Sequence, residues 1–179
     1  ISNEELRRRL IVVPQEPFLF ANTICYNLEF AEPHATTQNM IDAFAELGLS
    51  DWLESLPLGL DTHVGQRGSS LSAGERQLVA LVRASMVKPD VLVLDEATSS
   101  VDALTEVRIS RALERLALGR TTISIAHRLS TASRADRVVM LEHGRIVEDG
   151  SHLVLLEAAG KYAALYEAWL NSTSGETNV

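Results

Sequence analysis

The chain opens on a polar stretch, ISNEELRRR, and turns apolar at residues 9–14 (RLIVVP), a run that predicts a short strand ended by proline. A loop rich in polar and aromatic residues follows over residues 15–20. From about Thr23 to Met86 apolar positions recur at helical spacing, as in Met40, Ile41, Phe44 and Leu47, with Pro33, Pro57 and several glycines as punctuation. Beyond Pro89 the texture alternates: VLVLD, a helix from about Ala103 to Leu118, TTISIAH, RVVMLEHGRIVEDG, and a helical end to about Leu170. Continuously apolar strands separated by helices predict a sheet covered on both faces. The HGR segment between two apolar runs predicts a hairpin, which makes the far end of that sheet antiparallel. The expected division is therefore residues 1–22, a mostly helical 23–86, an alternating 87–170, and a frayed polar tail over 171–179.

Composition narrows the class. The 179 residues are 46% hydrophobic, ample for a buried core. No apolar run approaches the roughly 18 residues that cross a bilayer, and the first residues lack the apolar segment and cleavage site of a secretory signal. A membrane role is thus expected to come from a partner or another part of the polypeptide. The net charge of −8 argues against nucleic-acid binding, and Arg7, Arg8 and Arg9 read as a solvated face. The single cysteine, Cys25, forms no internal disulfide, fits a reducing compartment, and reads as a small space-filling residue rather than a catalytic thiol.

Two stretches carry chemistry. In VLVLDEATSSVD, residues 91–102, four apolar residues bury a strand and an acidic pair falls at its carboxyl end, where open α/β sheets bind ligands. Asp95 there suits a magnesium ion held partly through water, and Glu96 is placed to orient or deprotonate an attacking water. In LSAGERQ, residues 71–77, Ser72 suits a helix cap and Glu75 completes a Ser-x-x-Glu capping box. A helix start containing Ala73 and Gly74 is also an anion site, because unpaired backbone N–H groups point outward and small residues let a phosphate approach.

Together these segments resemble the signature motif, Walker B strand and D-loop of ABC-transporter ATPases. VVPQEPFLF resembles the Q-loop, which implies that Gln15 senses magnesium and the attacking water. ISIAHRLST resembles the H-loop, which implies that His127 contacts the γ-phosphate of ATP. The implied fold is a P-loop NTPase-like α/β sheet covered by helices, with a mostly helical subdomain inserted over 23–86. The implied ligands are ATP and Mg2+. By the same resemblance two such domains dimerise head to tail. Ser72, Ala73, Gly74, Glu75 and Asp102 then serve one nucleotide site, and Gln15, Asp95, Glu96 and His127 serve another. PFLFANTICYNL and HVGQRGSSLS are similar to the segments of multidrug and lipid exporters that face the coupling helices of a transmembrane domain. That implies a place on the cytoplasmic face of the cell membrane.

Two departures stand out. Ala73 and Glu75 occupy a glycine place and the glutamine place of the usual LSGGQ signature, and Glu75 brings a negative charge toward an anion unless Arg76 or another cation offsets it. The phosphate-binding pattern GxxxxGK[ST] occurs nowhere in the chain, so a fragment lacking the first part of the domain, and inactive alone, is expected. The competing expectation is a non-hydrolysing module that docks on coupling helices or associates with itself.

Overall fold

The computed structural model describes residues 2–95, 101–126 and 129–174. They fall into two compact units, residues 1–125 and 126–179.

In the first unit, α1 (Asn3–Arg9) is capped by Ser2, whose side chain accepts from Glu5 N–H, and it leads directly into β1 (Leu10–Val13). The basic run Arg7–Arg9 occupies the last turn of α1, where positive charge suits the helix dipole. β1, β2 (Val91–Asp95) and β3 (Thr121–Ile125) form a parallel sheet in that order. Val13 lies opposite Leu94, and Asp95 opposite Ile125.

Between β1 and β2 run α2 (Ile24–Glu29), α3 (Thr37–Glu46), α4 (Ser50–Ser55) and α5 (Ala73–Val87). Their apolar faces meet in one core: Ile24, Leu28, Phe44, Leu49, Leu78 and Leu81 are wholly buried. α6 (Ala103–Ala117) follows β2 and adds Ile109, Ala112 and Leu116 to the same core.

The side chains of this sheet alternate, as a pleated strand requires. Val13 and Leu92 are buried in that core, and Ile11 and Leu94 pack against it. On the opposite face Val12, Ile123 and Ile125 are 56%, 53% and 51% exposed. The expected cover on both faces is therefore met on one face by the residues described.

The second unit holds α7 (Leu129–Ala132), the antiparallel pair β4 (Val138–Glu142) and β5 (Arg145–Gly150), α8 (His152–Glu157) and α9 (Lys161–Ser174). The hairpin expected around His143–Gly144 forms, and both residues adopt the positive φ that a tight turn demands. It differs from expectation in one respect: β4 and β5 pair with each other in a sheet of their own, not as an extension of β1–β3. Residues 161–162, predicted within a helical end, start α9 under an external cap. Glu148 on β5 accepts from Lys161 N–H at 2.5 Å and Tyr162 N–H at 3.0 Å.

Candidate nucleotide site

Parallel pairing places the carboxyl ends of β1, β2 and β3 along one edge of the sheet. Gln15 is exposed two residues past β1, and Asp95, half-buried, ends β2. These two candidate residues thus share an edge, because Val13 and Leu94 are register partners. Glu96 and His127, which follow β2 and β3 in sequence, lie outside the described residues.

The loop carrying Gln15 is held from two sides. Wholly buried Asn27 clasps Phe20: its Oδ1 accepts from Phe20 N–H at 2.8 Å, and its Nδ2 donates to Phe20 O at 3.1 Å and Thr23 O at 2.9 Å. Arg83 of α5 donates to Phe18 O at 3.1 Å, and burial pushes the pKa of its guanidinium below the usual arginine value. Asn27 and Arg83 carried no signal in the sequence beyond their helical positions. A buried polar side chain becomes visible only once its partners are placed.

The second cluster is a pair of neighbouring helix starts. At the start of α5 the capping box between Ser72 and Glu75 forms. Glu75 N–H donates to Ser72 Oγ at 3.2 Å, and Ser72 N–H donates to Glu75 Oε2 at 2.8 Å. Ala73 is exposed and Gly74 buried. A Cβ at Gly74 would overlap Thr105 Cγ2 and stand 2.7 Å from Val101 Cγ1, so the glycine is what lets α5 close on the start of α6. There Asp102 is the N-cap, accepting from Thr105 N–H at 3.0 Å. That bond holds the Asp102 carboxyl below the usual carboxylate range. Ser72, Ala73, Gly74, Glu75 and Asp102 are thereby brought together.

Glu75 does not point its charge freely outward. Its other oxygen, Oε1, accepts from Trp52 Nε1 at 3.3 Å. Arg76, the cation first expected to offset it, turns away and donates to Leu71 O at 2.8 Å. Arg76 also fills the space beside Gly68, whose positive φ and contact with the Arg76 stem exclude a side chain. One residue before Trp52, Asp51 pairs with Arg108 of α6 at 3.1 Å. The short helix α4 therefore touches the start of α5 and the second turn of α6, a linkage the sequence did not disclose.

The implied ligands fit this chemistry in kind. The capping box consumes Glu75 N–H, which leaves the first-turn N–H groups of Ala73 and Gly74 without intrahelical acceptors by helix geometry, as an anion site needs. Among the described residues no group of three or more His, Cys, Asp or Glu could hold a metal. The one Gly-Lys pair, Gly160–Lys161, is no phosphate loop, since the Glu148 carboxylate already accepts from Lys161 N–H and Tyr162 N–H there.

A protein-family model described as ABC transporter matches residues 1–99, more than half of the chain. The chain belongs to the ABC transporter family. Its similarity to an ABC transporter ATP-binding protein of Bacillus subtilis, YknV, is 44% identity over 168 residues, covering 94% of this chain and 28% of that protein. The mitochondrial iron-sulfur clusters transporter ABCB7 of Oryzias latipes is 43% identical over 169 residues, covering 94% of this chain and 23% of that protein. A solved bacterial Atm1-family ABC exporter with ATP bound superposes with a TM-score of 0.84 at 41% identity, covering 94% of this chain and 30% of that one. The fold is accordingly the P-loop NTPase-like α/β fold of an ABC exporter ATPase domain. The chain spans less than a third of the length of these relatives.

Proposed function

We propose that this chain forms most of an ATP-binding and ATP-hydrolysing domain of an ABC exporter. It couples ATP turnover at a head-to-tail interface between two such domains to movement of a substrate across a membrane. The observation that supports this reading is the sheet edge: β1 and β2 pair in parallel with Val13 opposite Leu94, so that Gln15, two residues past β1, and Asp95, at the end of β2, fall at the same edge. Magnesium supplies positive charge against the phosphates when bound. Asp95 and Gln15 offer it oxygen ligands, and Glu96 orients the attacking water and receives its proton. His127 contacts the γ-phosphate side. Ser72, Ala73 and Gly74 present a hydroxyl and N–H groups to the phosphates of the nucleotide held by the partner domain, and Asp102 flanks them. In this reading residues 1–22 and 87–170 form the ATPase core, and 23–86 the helical subdomain.

The partners are a second nucleotide-binding domain and the coupling helices of a transmembrane domain, at the cytoplasmic face of the membrane. Among the described residues no helix is long and apolar enough to cross a membrane. An exposed aromatic ridge offers the docking surface. Phe20 packs against Phe18 at 5.2 Å, Tyr26 at 6.2 Å and Phe30 at 4.5 Å between ring centres.

With no GxxxxGK[ST] loop, the chain by itself should hydrolyse negligible ATP. The full transporter in lipid vesicles should hydrolyse it, and Glu96→Gln should cut turnover by about 100-fold or more. Turnover untouched by that change would favour the second reading, a non-hydrolysing module that docks or self-associates, to which the same ridge lends support.

A further inference from the structure

We infer that Trp52 is a positioning residue for the signature segment: its indole N–H holds the Glu75 carboxylate back against the helix cap and so lets a glutamate stand beside a phosphate site. The inference rests on the ATPase reading above.

A carboxylate at the third position of a helix is stabilised by the helix dipole, but it competes with any other anion brought to the same N–H groups. Where it points decides how strongly it competes. In this chain both Glu75 oxygens are engaged on the side of the helix start, Oε2 by Ser72 N–H at 2.8 Å and Oε1 by Trp52 Nε1 at 3.3 Å. Arg76 directs one guanidinium nitrogen to Leu71 O rather than to either Glu75 oxygen.

The donor is itself fixed. Trp52 is 2% exposed, its ring lies 5.9 Å from that of Phe44, and the adjacent Asp51 is paired with Arg108. The indole cannot swing away without breaking core packing, so its N–H is a preset anchor for one oxygen of Glu75. Removing that N–H frees Oε1 to turn toward the approaching phosphates.

The test is a double-substitution cycle on the full-length transporter, reading KM and kcat for MgATP hydrolysis at low and high salt. Trp52→Phe should raise KM by about five-fold, the scale of one lost hydrogen bond to a charged group in a partly exposed setting, with the change falling on KM rather than kcat. In the Glu75→Gln background the same change should raise KM by less than about two-fold, since a neutral amide repels no phosphate. High salt should shrink the five-fold effect. Benzothienylalanine at position 52, which has the indole's shape without its N–H, should reproduce the Trp52→Phe shift and guards against a packing artefact. Equal KM changes in both backgrounds, or a shift with Trp52→Phe that the isostere lacks, would overturn the inference and reduce Trp52 to a core residue. A wild-type transporter that does not hydrolyse ATP at all would overturn the ATPase reading instead, and this inference with it.

Discussion

The helical segment α2–α5 and the sheet β1–β3 both draw on apolar residues, yet they treat them differently. In the helical segment Phe44, Leu49, Leu78 and Leu81 lose all contact with water, because each amphipathic helix meets another helix of the same segment. In the sheet, alternate residues go to opposite faces, so half of each strand depends on a second layer that helices α5 and α6 do not supply. Ile11, Val13, Leu92 and Leu94 have that layer; Val12, Ile123 and Ile125 stay about half exposed among the described residues. An apolar run in sequence is therefore no measure of what a residue contributes to stability. What faces it decides.

Substitutions can break or sharpen this contrast. The largest effect is expected from Phe44→Ala, which empties a wholly buried site against Trp52 and should cost about 3–5 kcal/mol in urea unfolding of the chain. A loss below about 1 kcal/mol would show that the helical core is loosely packed after all. Gly74→Ala probes the seam between α5 and α6. The new methyl meets Thr105 and Val101 and should cost about 1–3 kcal/mol, partly restored by shortening Thr105 to Ser. No cost, or no restoration, would mean that the two helix starts are not pressed together. The smallest effect should come from Ile123→Thr on the opposite face, within about 0.5 kcal/mol, since a half-exposed side chain has little to lose. A cost like that of Phe44→Ala would show that something covers this face in solution and would end the contrast.

The local features of the site were legible in the sequence for a physical reason. The capping box needs only Ser72 and Glu75 at a spacing of three, and that geometry follows from the helix itself. VLVLD needed only its run of apolar residues to be read as a strand, and parallel pairing then brought Asp95 to the same edge as Gln15. Trp52, Asn27 and Arg83 were not legible. Their partners Glu75, Phe20 and Phe18 lie 23, 7 and 65 residues away, and no periodic pattern links positions joined only by the path of the chain.

Gly74 shows the same division within one residue. The sequence alone marked it as a small residue at a helix start, open to a phosphate. The tertiary structure added that its missing side chain is also required by Thr105 and Val101. Likewise the sequence determined the main run of helices and strands after residue 9, the Ser72 cap and the family motifs, because these depend on neighbours within one or two turns. Only the tertiary structure decided the direction of the Glu75 charge, the burial of one sheet face and not the other, and the pairing of the β4–β5 hairpin with itself. Each of these depends on which distant surfaces meet, and burial and hydrogen bonding act through space rather than along the chain.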